Sequence, residues 1–106
     1  MKQVTVELLN EITRRIVERM YPEKIILFGS YAWGVPEKAS DIDLFIVVPH
    51  SEEPSYRRAR AIYQSLRGVG VPIDVIVQTH DEVERSKGVA TSLARNVLEK
   101  GKLLYG

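Results

Sequence analysis

The chain has 106 residues, 44% of them hydrophobic and 27% charged, a composition typical of a globular protein with one small domain. Fifteen basic and fourteen acidic residues leave a net charge of +1. This excludes a strongly basic module that binds nucleic acid mainly by neutralising phosphates. The absence of cysteine excludes a disulfide scaffold, a thiolate metal site and a cysteine nucleophile. We expect residues 1–106 to fold as one domain.

No segment has the features of a membrane span or of a signal peptide. The longest apolar run, Ile42–Pro49, is far shorter than the ~20 residues that cross a bilayer. The N-terminus, Met1–Gln3, lacks the apolar run of a signal peptide. We therefore expect a soluble protein of the cytoplasm.

The first half of the chain predicts a helix followed by two strands. Leu8, Ile12 and Ile16 recur at every fourth position, as on the buried face of an amphipathic helix. Two short runs rich in β-branched and aromatic residues follow, as in buried strands. The helix is predicted at Val4–Met20 and the two strands at Lys24–Phe28 and Ile42–Val48. Between the strands we expect a helical turn at Tyr31–Gly34 and a loop at Val35–Ser40.

The second half predicts a helix, a strand and a last helix, with Thr79 or Asp81 capping a short turn between the last two. The helix is predicted at Tyr56–Arg67, the strand at Ile73–Val77 and the last helix at about Val89–Glu99. The apolar tail Leu103–Tyr105 could add an edge strand. Helices or a long crossover separate the strands, so we expect the α/β (α+β) class. A small mixed or mainly parallel sheet would have helices packed on it.

Three of the four aspartates lie inside or at the start of predicted strands, where aspartate is disfavoured. Asp41 and Asp43 are two residues apart, so their side chains point to the same face of the strand. Asp74 takes a similar position in the next strand. If the two strands are neighbours in register, three carboxylates converge. Carboxylate oxygens suit Mg²⁺, and two such ions can clamp the attacking and leaving oxygens of a phosphoryl substitution.

Gly29 and Ser30 directly follow a predicted strand and begin a turn. Glycine allows the backbone to approach a ligand closely, and amides at a helix start favour phosphate. The segment is not a P-loop, because Val35 and Pro36 follow Gly34 in place of lysine and serine or threonine.

The combination of Gly29–Ser30 with Asp41, Asp43 and a later strand aspartate, Asp74, resembles the signature of the polymerase-β-like nucleotidyltransferase superfamily. Within it, the chain is similar to the minimal nucleotidyltransferases, small proteins often paired with HEPN-domain toxins. The similarity extends from Lys24 through Val77. It implies the polymerase-β-like nucleotidyltransferase fold.

The resemblance also implies a role for each matching residue. Gly29 and Ser30 would bind the triphosphate of ATP or another NTP. Asp41 and Asp43 would bind both Mg²⁺ ions, and Asp74 would complete one metal site and help to activate the attacking hydroxyl. A nucleoside monophosphate would pass to that hydroxyl with release of pyrophosphate.

One position departs from the pattern. Many members of the family carry arginine where this chain has Trp33. The side chain at this position therefore supplies no cation for the phosphates, although the implied metal ligands are intact. Trp33 and Tyr31 could stack on a base or pack in the core or an interface.

The family resemblance suggests that a HEPN toxin completes the acceptor site, since 106 residues leave no room for a separate acceptor domain. This chain would then be an antitoxin that silences the toxin by transferring AMP to a tyrosine, and it could form a homo- or hetero-oligomer. Three alternatives stay open: a module that neutralises its partner by contact alone, transfer to a small molecule such as an aminoglycoside, and RNA tailing. The near-neutral charge disfavours the last alternative and direct nucleic-acid binding in general.

Each sequence feature also has a simpler interpretation. Asp41 could cap a loop, Gly29–Ser30 could only end a strand, and Asp74 could face water on an edge strand. The basic helix start Tyr56–Arg60 is typical of a solvated face, although it could also lie near an acidic or phosphate-bearing partner.

Overall fold

The computed structural model describes residues 4–34 and 40–106, which form four helices around a four-stranded sheet. Helices α1 to α4 are Val6–Met20, Ser55–Ser65, His80–Ser86 and Leu93–Lys100. Strands β1 to β4 are Lys24–Phe28, Ile42–Val48, Ile73–Thr79 and Lys102–Tyr105. A short 3₁₀ turn, Gly29–Tyr31, follows β1. No helix in these two ranges combines the length and apolar character needed to cross a membrane.

The sheet is mixed, with strand order β3-β2-β1-β4. Strands β2 and β3 are parallel, because helix α2 carries the chain back across the sheet between them. Strand β1 runs antiparallel to both β2 and β4. The prediction of a small mixed sheet is therefore confirmed, and the mainly parallel alternative is wrong.

Helices cover both faces of the sheet, so the central strands are apolar on both sides. Alternate residues of each strand face opposite ways. One core contains side chains from α1, α2 and the strands, among them Ile12, Ile16, Leu44, Ile46 and Ile62. The core on the other face contains side chains from α3, α4 and the strands, among them Phe45, Val47, Val83, Ala94 and Val97.

Local hydrogen bonds explain where the helices begin. The last helix starts at Leu93 and not near Val89, because the Ser92 side chain accepts a hydrogen bond from the Arg95 amide (3.1 Å) and caps it. Where the sequence predicts a short turn, α3 is a full helix capped by Thr79. Thr79 and Glu82 form a reciprocal capping box.

Helices α1 and α2 differ from their predicted bounds by one or two residues. Thr5 caps α1, which therefore begins at Val6. The apolar tail forms edge strand β4 beside β1, as the sequence allowed. Of the predicted loop Val35–Ser40, only Ser40 lies within the described residues, and Met1–Gln3 lie outside them.

Arg58 is the one arginine that the described part of the chain buries, with 8% of its surface exposed. Its guanidinium donates to the backbone oxygens of Glu53 (2.9 Å) and Val77 (3.3 Å) and to Glu82 Oε1 (2.5 Å). The arginine therefore ties α2 to the end of β3 and to the start of α3. The interpretation of this basic helix start as a wholly solvated face is wrong at Arg58.

Replacing Arg58 should be costly, because the change leaves Glu82 without its cation and two carbonyl oxygens without a donor. We expect Arg58→Ala to lower the free energy of unfolding by about 2–3 kcal/mol in chemical denaturation. Arg57→Ala, at an exposed neighbour, should change it by less than about 0.5 kcal/mol. Equal effects of the two substitutions would contradict the assignment.

The same network should also be sensitive to acid. The hydrogen bond from the Thr79 amide and the Arg58 guanidinium hold the pKa of Glu82 below its ordinary value. Glu82 therefore stabilises the fold above its unfolded-state pKa, and this contribution is lost as the pH falls through the lowered value. Glu82→Gln should thus destabilise the protein at pH 7 and flatten its loss of stability in acid.

Candidate functional site

Asp43 and Asp74 are paired positions on adjacent strands. Their Cα atoms are partners in the parallel register of β2 and β3, so both side chains leave the same face of the sheet. Asp41 lies two residues before Asp43, immediately outside β2. The prediction that these strands are neighbours in register is confirmed. The structure thus gathers three of the chain's four aspartates at the amino ends of β2 and β3.

Asp43 has the most perturbed environment of the three. It is half-buried, whereas Asp41 and Asp74 are exposed. Burial raises the pKa of Asp43 above its ordinary value, and the negative charges of Asp74 and Asp41 raise it further. The ionised carboxylate is therefore less favourable in the folded chain than in the unfolded one. It reduces folding stability as the pH rises through this raised pKa.

Gly29, the first residue of the turn after β1, lies against the Asp43 carboxylate. Phe28 and Asp43 are partners in the antiparallel register of β1 and β2, which brings the following residue alongside the carboxylate. A Cβ atom at Gly29 would lie 2.2 Å from Asp43 Oδ2, and Gly29 has a φ of +75°. Both the backbone conformation and the contact therefore require glycine. The next residue of the turn, Ser30, is half-buried.

Tyr63 of α2 contacts the site at Asp74. Its hydroxyl donates to Asp74 Oδ1 (3.1 Å) and accepts from the Val75 amide (2.9 Å). Burial and the charges of Asp74 and Asp41 raise the pKa of the Tyr63 phenol, so it remains protonated and able to donate. In the sequence, Tyr63 shares the apolar face of the predicted helix Tyr56–Arg67 with Ala59, Ile62 and Leu66, a pattern that does not indicate this contact. Only the position of α2 against β3 could have revealed it.

The donor set fits a divalent cation, although the side chains do not enclose a site as they stand. Within residues 4–34 and 40–106, no three His, Cys, Asp or Glu side chains are grouped closely enough to hold a metal ion. Burial and then repulsion from Asp74 and Asp41 raise the pKa of Asp43, and a divalent cation would relieve this repulsion. Carboxylate oxygens are the ligands Mg²⁺ prefers. Because Gly29 has no Cβ atom, its side of the Asp43 Oδ2 atom is not covered by one.

An aromatic cluster borders the Gly29 turn. The Phe28 ring lies 6.1 Å from Trp33 and 6.4 Å from Phe45, measured between ring centroids. Phe45 is fully buried, whereas Trp33 is 45% exposed. Trp33 is thus attached to the core through Phe28 and still presents part of its ring to solvent beside the turn.

Comparisons with known proteins agree with this geometry. Residues 9–104 match the family model of the nucleotidyltransferase domain. A protein of Methanocaldococcus jannaschii, named as a candidate protein adenylyltransferase, is 39% identical over 83 residues that cover 78% of each chain. The crystal structure of a candidate nucleotidyltransferase from Sulfolobus solfataricus superposes with a TM-score of 0.60 at 28% identity. That superposition covers 74% of this chain and 70% of the other.

Substitution of Gly29 tests the contact with Asp43. Gly29→Ala should lower the free energy of unfolding by about 1–2 kcal/mol for the left-handed backbone, and by more for the displaced carboxylate. Gly68→Ala is the matched control, since Gly68 has a φ of +83° and, apart from its chain neighbours, no atom of residues 4–34 and 40–106 lies within 4 Å of its Cβ position. If Gly29→Ala costs no more than Gly68→Ala in chemical denaturation, Asp43 does not pack against the turn.

Substitution of Tyr63 tests the bridge to Asp74. Tyr63→Phe keeps the ring and removes the hydroxyl, leaving the Val75 amide and Asp74 without their partner. We expect a loss of about 1 kcal/mol of folding stability. Tyr56→Phe, on an exposed tyrosine of the same helix, should have almost no effect. Equal melting temperatures for the two variants would contradict the bridge.

Proposed function

Because this chain belongs to the nucleotidyltransferase domain family, we propose that it transfers AMP from ATP to a hydroxyl group of a partner protein in a Mg²⁺-dependent reaction. Nucleotidyl transfer is the enzymatic activity of the family. The observation that best supports the site is the placement of Asp43 between Gly29 and Asp74, across three adjacent elements. The name of the Methanocaldococcus relative supports a protein as the acceptor.

In this proposal each residue has a distinct task. Gly29 and Ser30 bind the triphosphate through the turn after β1. Asp41, Asp43 and Asp74 would hold Mg²⁺. The bound metal would neutralise the triphosphate and lower the pKa of the acceptor hydroxyl. Tyr63 is a positioning residue, because its hydrogen bond fixes the Asp74 carboxylate.

The proposed reaction is an in-line substitution at the α-phosphorus of ATP. The acceptor hydroxyl oxygen forms a bond to that phosphorus, the bond to the leaving pyrophosphate oxygen breaks, and Asp74 accepts the hydroxyl proton. Fixed positions and charge neutralisation supply most of the rate enhancement in such transfers. The partially exposed Trp33 ring beside Gly29 offers a surface on which the adenine could stack.

The proposed acceptor is a tyrosine of a HEPN-domain toxin, and this chain is its antitoxin. This assignment rests on the resemblance to the minimal nucleotidyltransferases, and the name of the Methanocaldococcus relative supports only transfer to a protein. Modification of the toxin would silence it, so transfer and neutralisation should depend on the same aspartates.

Mass spectrometry of the partner gives the direct test. The protein that co-purifies with this chain, or the product of the neighbouring gene, is incubated with the chain, ATP and Mg²⁺. We expect one AMP adduct on a tyrosine and none when EDTA is added. A complex that forms while the partner stays unmodified would overturn the enzymatic proposal in favour of neutralisation by contact.

Two aspartate variants make the test specific. Removing a residue that hydrogen-bonds to a metal ligand lowers metal affinity or activity about 10–100-fold. Asp43→Asn removes a proposed ligand itself, so it should lower the transfer rate by more than about a hundredfold. Asp81→Asn is the matched control, because Asp81 lies on α3, outside the three-aspartate cluster. Trp33, the only tryptophan, should report ATP binding by a change in fluorescence. Full activity of Asp43→Asn would contradict the proposed site.

A further inference from the structure

The outer face of α2 carries cations that the proposed reaction does not use. Arg57 and Arg60 on α2 and Arg67 in the turn after it are exposed, and Arg19 approaches them from the end of α1. None of these four guanidinium groups has an ion pair or hydrogen-bond partner among residues 4–34 and 40–106. By contrast, Arg14, Arg15 and Arg95 pair with glutamates on their own helices.

These arginines line two open hollows that lie next to each other along the helix. The first, about 540 Å³, includes Arg19, Arg57 and Arg60. The second, about 470 Å³, includes Tyr56, Arg60, Tyr63 and Arg67. Arg60 and Gln64 line both hollows, which are therefore adjacent and are together called the α2 groove.

The α2 groove and the candidate site share one residue, Tyr63. Tyr63, which lines it, donates its hydroxyl hydrogen bond to Asp74. Arg57 is six residues earlier on the same helix, about 9 Å along its axis. A chain segment lying in the groove could therefore place a neighbouring hydroxyl group at the aspartates.

We propose that the α2 groove docks an acidic segment of the protein whose hydroxyl receives the nucleotide. This inference rests on the proposed function and identifies how the acceptor is held. Arginine guanidinium groups bind carboxylates with two parallel hydrogen bonds, and unpaired ones lose no existing contact on binding. Tyrosine and arginine are also the residues most enriched at the energetic centres of protein interfaces.

The charges of the groove favour a polypeptide over a nucleic acid. Glu53 lines the first hollow beside the arginines, and a continuous phosphate backbone would have to pass this carboxylate. A polypeptide can place acidic and neutral residues separately. The chain as a whole carries a net charge of only +1, which is weak for binding by phosphate neutralisation.

The first test titrates the protein with acetylated octaglutamate while NMR follows the arginine Nε–Hε signals, without ATP or metal. We expect the Arg57, Arg60 and Arg67 signals to shift at up to millimolar peptide, and octaglutamine to shift none of them. Arg60→Glu should weaken binding about tenfold or more, since a charge-assisted contact is replaced by repulsion. Arg85→Glu is the matched control, an exposed arginine on α3 outside the groove, and should leave binding unchanged.

Three results would overturn the docking proposal. One is an absence of arginine shifts at millimolar peptide, and another is equal weakening by Arg60→Glu and Arg85→Glu. The third is tighter binding of a uridine octamer at the same arginines, which would assign the groove to nucleic acid.

A second test separates docking from transfer. Asp43→Asn should bind octaglutamate like the original protein, because it leaves the groove intact. With the acceptor identified by mass spectrometry, Arg60→Glu should raise KM for the acceptor and leave KM for ATP unchanged. Unchanged acceptor KM would overturn docking while the transfer proposal stands. Peptide binding without any AMP transfer would overturn the transfer proposal and the inference that rests on it.

Discussion

The contact between the Asp43 carboxylate and the backbone of Gly29 is the constraint on which the candidate site depends. A Cβ atom there would overlap Asp43 Oδ2, and only glycine adopts the local backbone without strain. The contact joins the end of β1 to the start of β2, while the parallel register brings Asp74 to the same face. Three segments distant in sequence thereby present polar groups to one small region. The buried apolar residues of β2 hold this arrangement in place.

The electrostatics of the candidate site reduce the folding stability of the protein. Asp43 is half-buried beside two other carboxylates, and burial and repulsion together raise its pKa. Its ionised form at neutral pH is a cost that the two apolar cores offset. Such unfavourable local electrostatics are typical of functional sites, since a ligand of opposite charge can relieve them. Tyr63 partly stabilises the neighbouring Asp74 carboxylate by donating a hydrogen bond to it.

Much of this arrangement follows from the sequence, and the remainder follows from contacts between distant elements. Aspartates in apolar strands and the glycine after β1 are local anomalies, so they can be recognised without a structure. The roles of Tyr63 and Arg58 cannot, because each depends on how α2 lies against β3. Tyr63 has the pattern of a core residue and Arg58 that of a solvated one. In the fold, Tyr63 reaches Asp74, and Arg58 is buried against Glu82.

The central claim is that Asp41, Asp43 and Asp74 gather a divalent cation beside the Gly29 turn. Substoichiometric Mn²⁺ added with ATP to ¹⁵N-labelled protein tests it most directly, since the ion broadens the amide signals of nearby residues. The account predicts selective broadening at Gly29, Ser30 and the three aspartates, and its loss in the Asp43→Asn variant. Broadening centred on other acidic residues, or unchanged by that substitution, would contradict it.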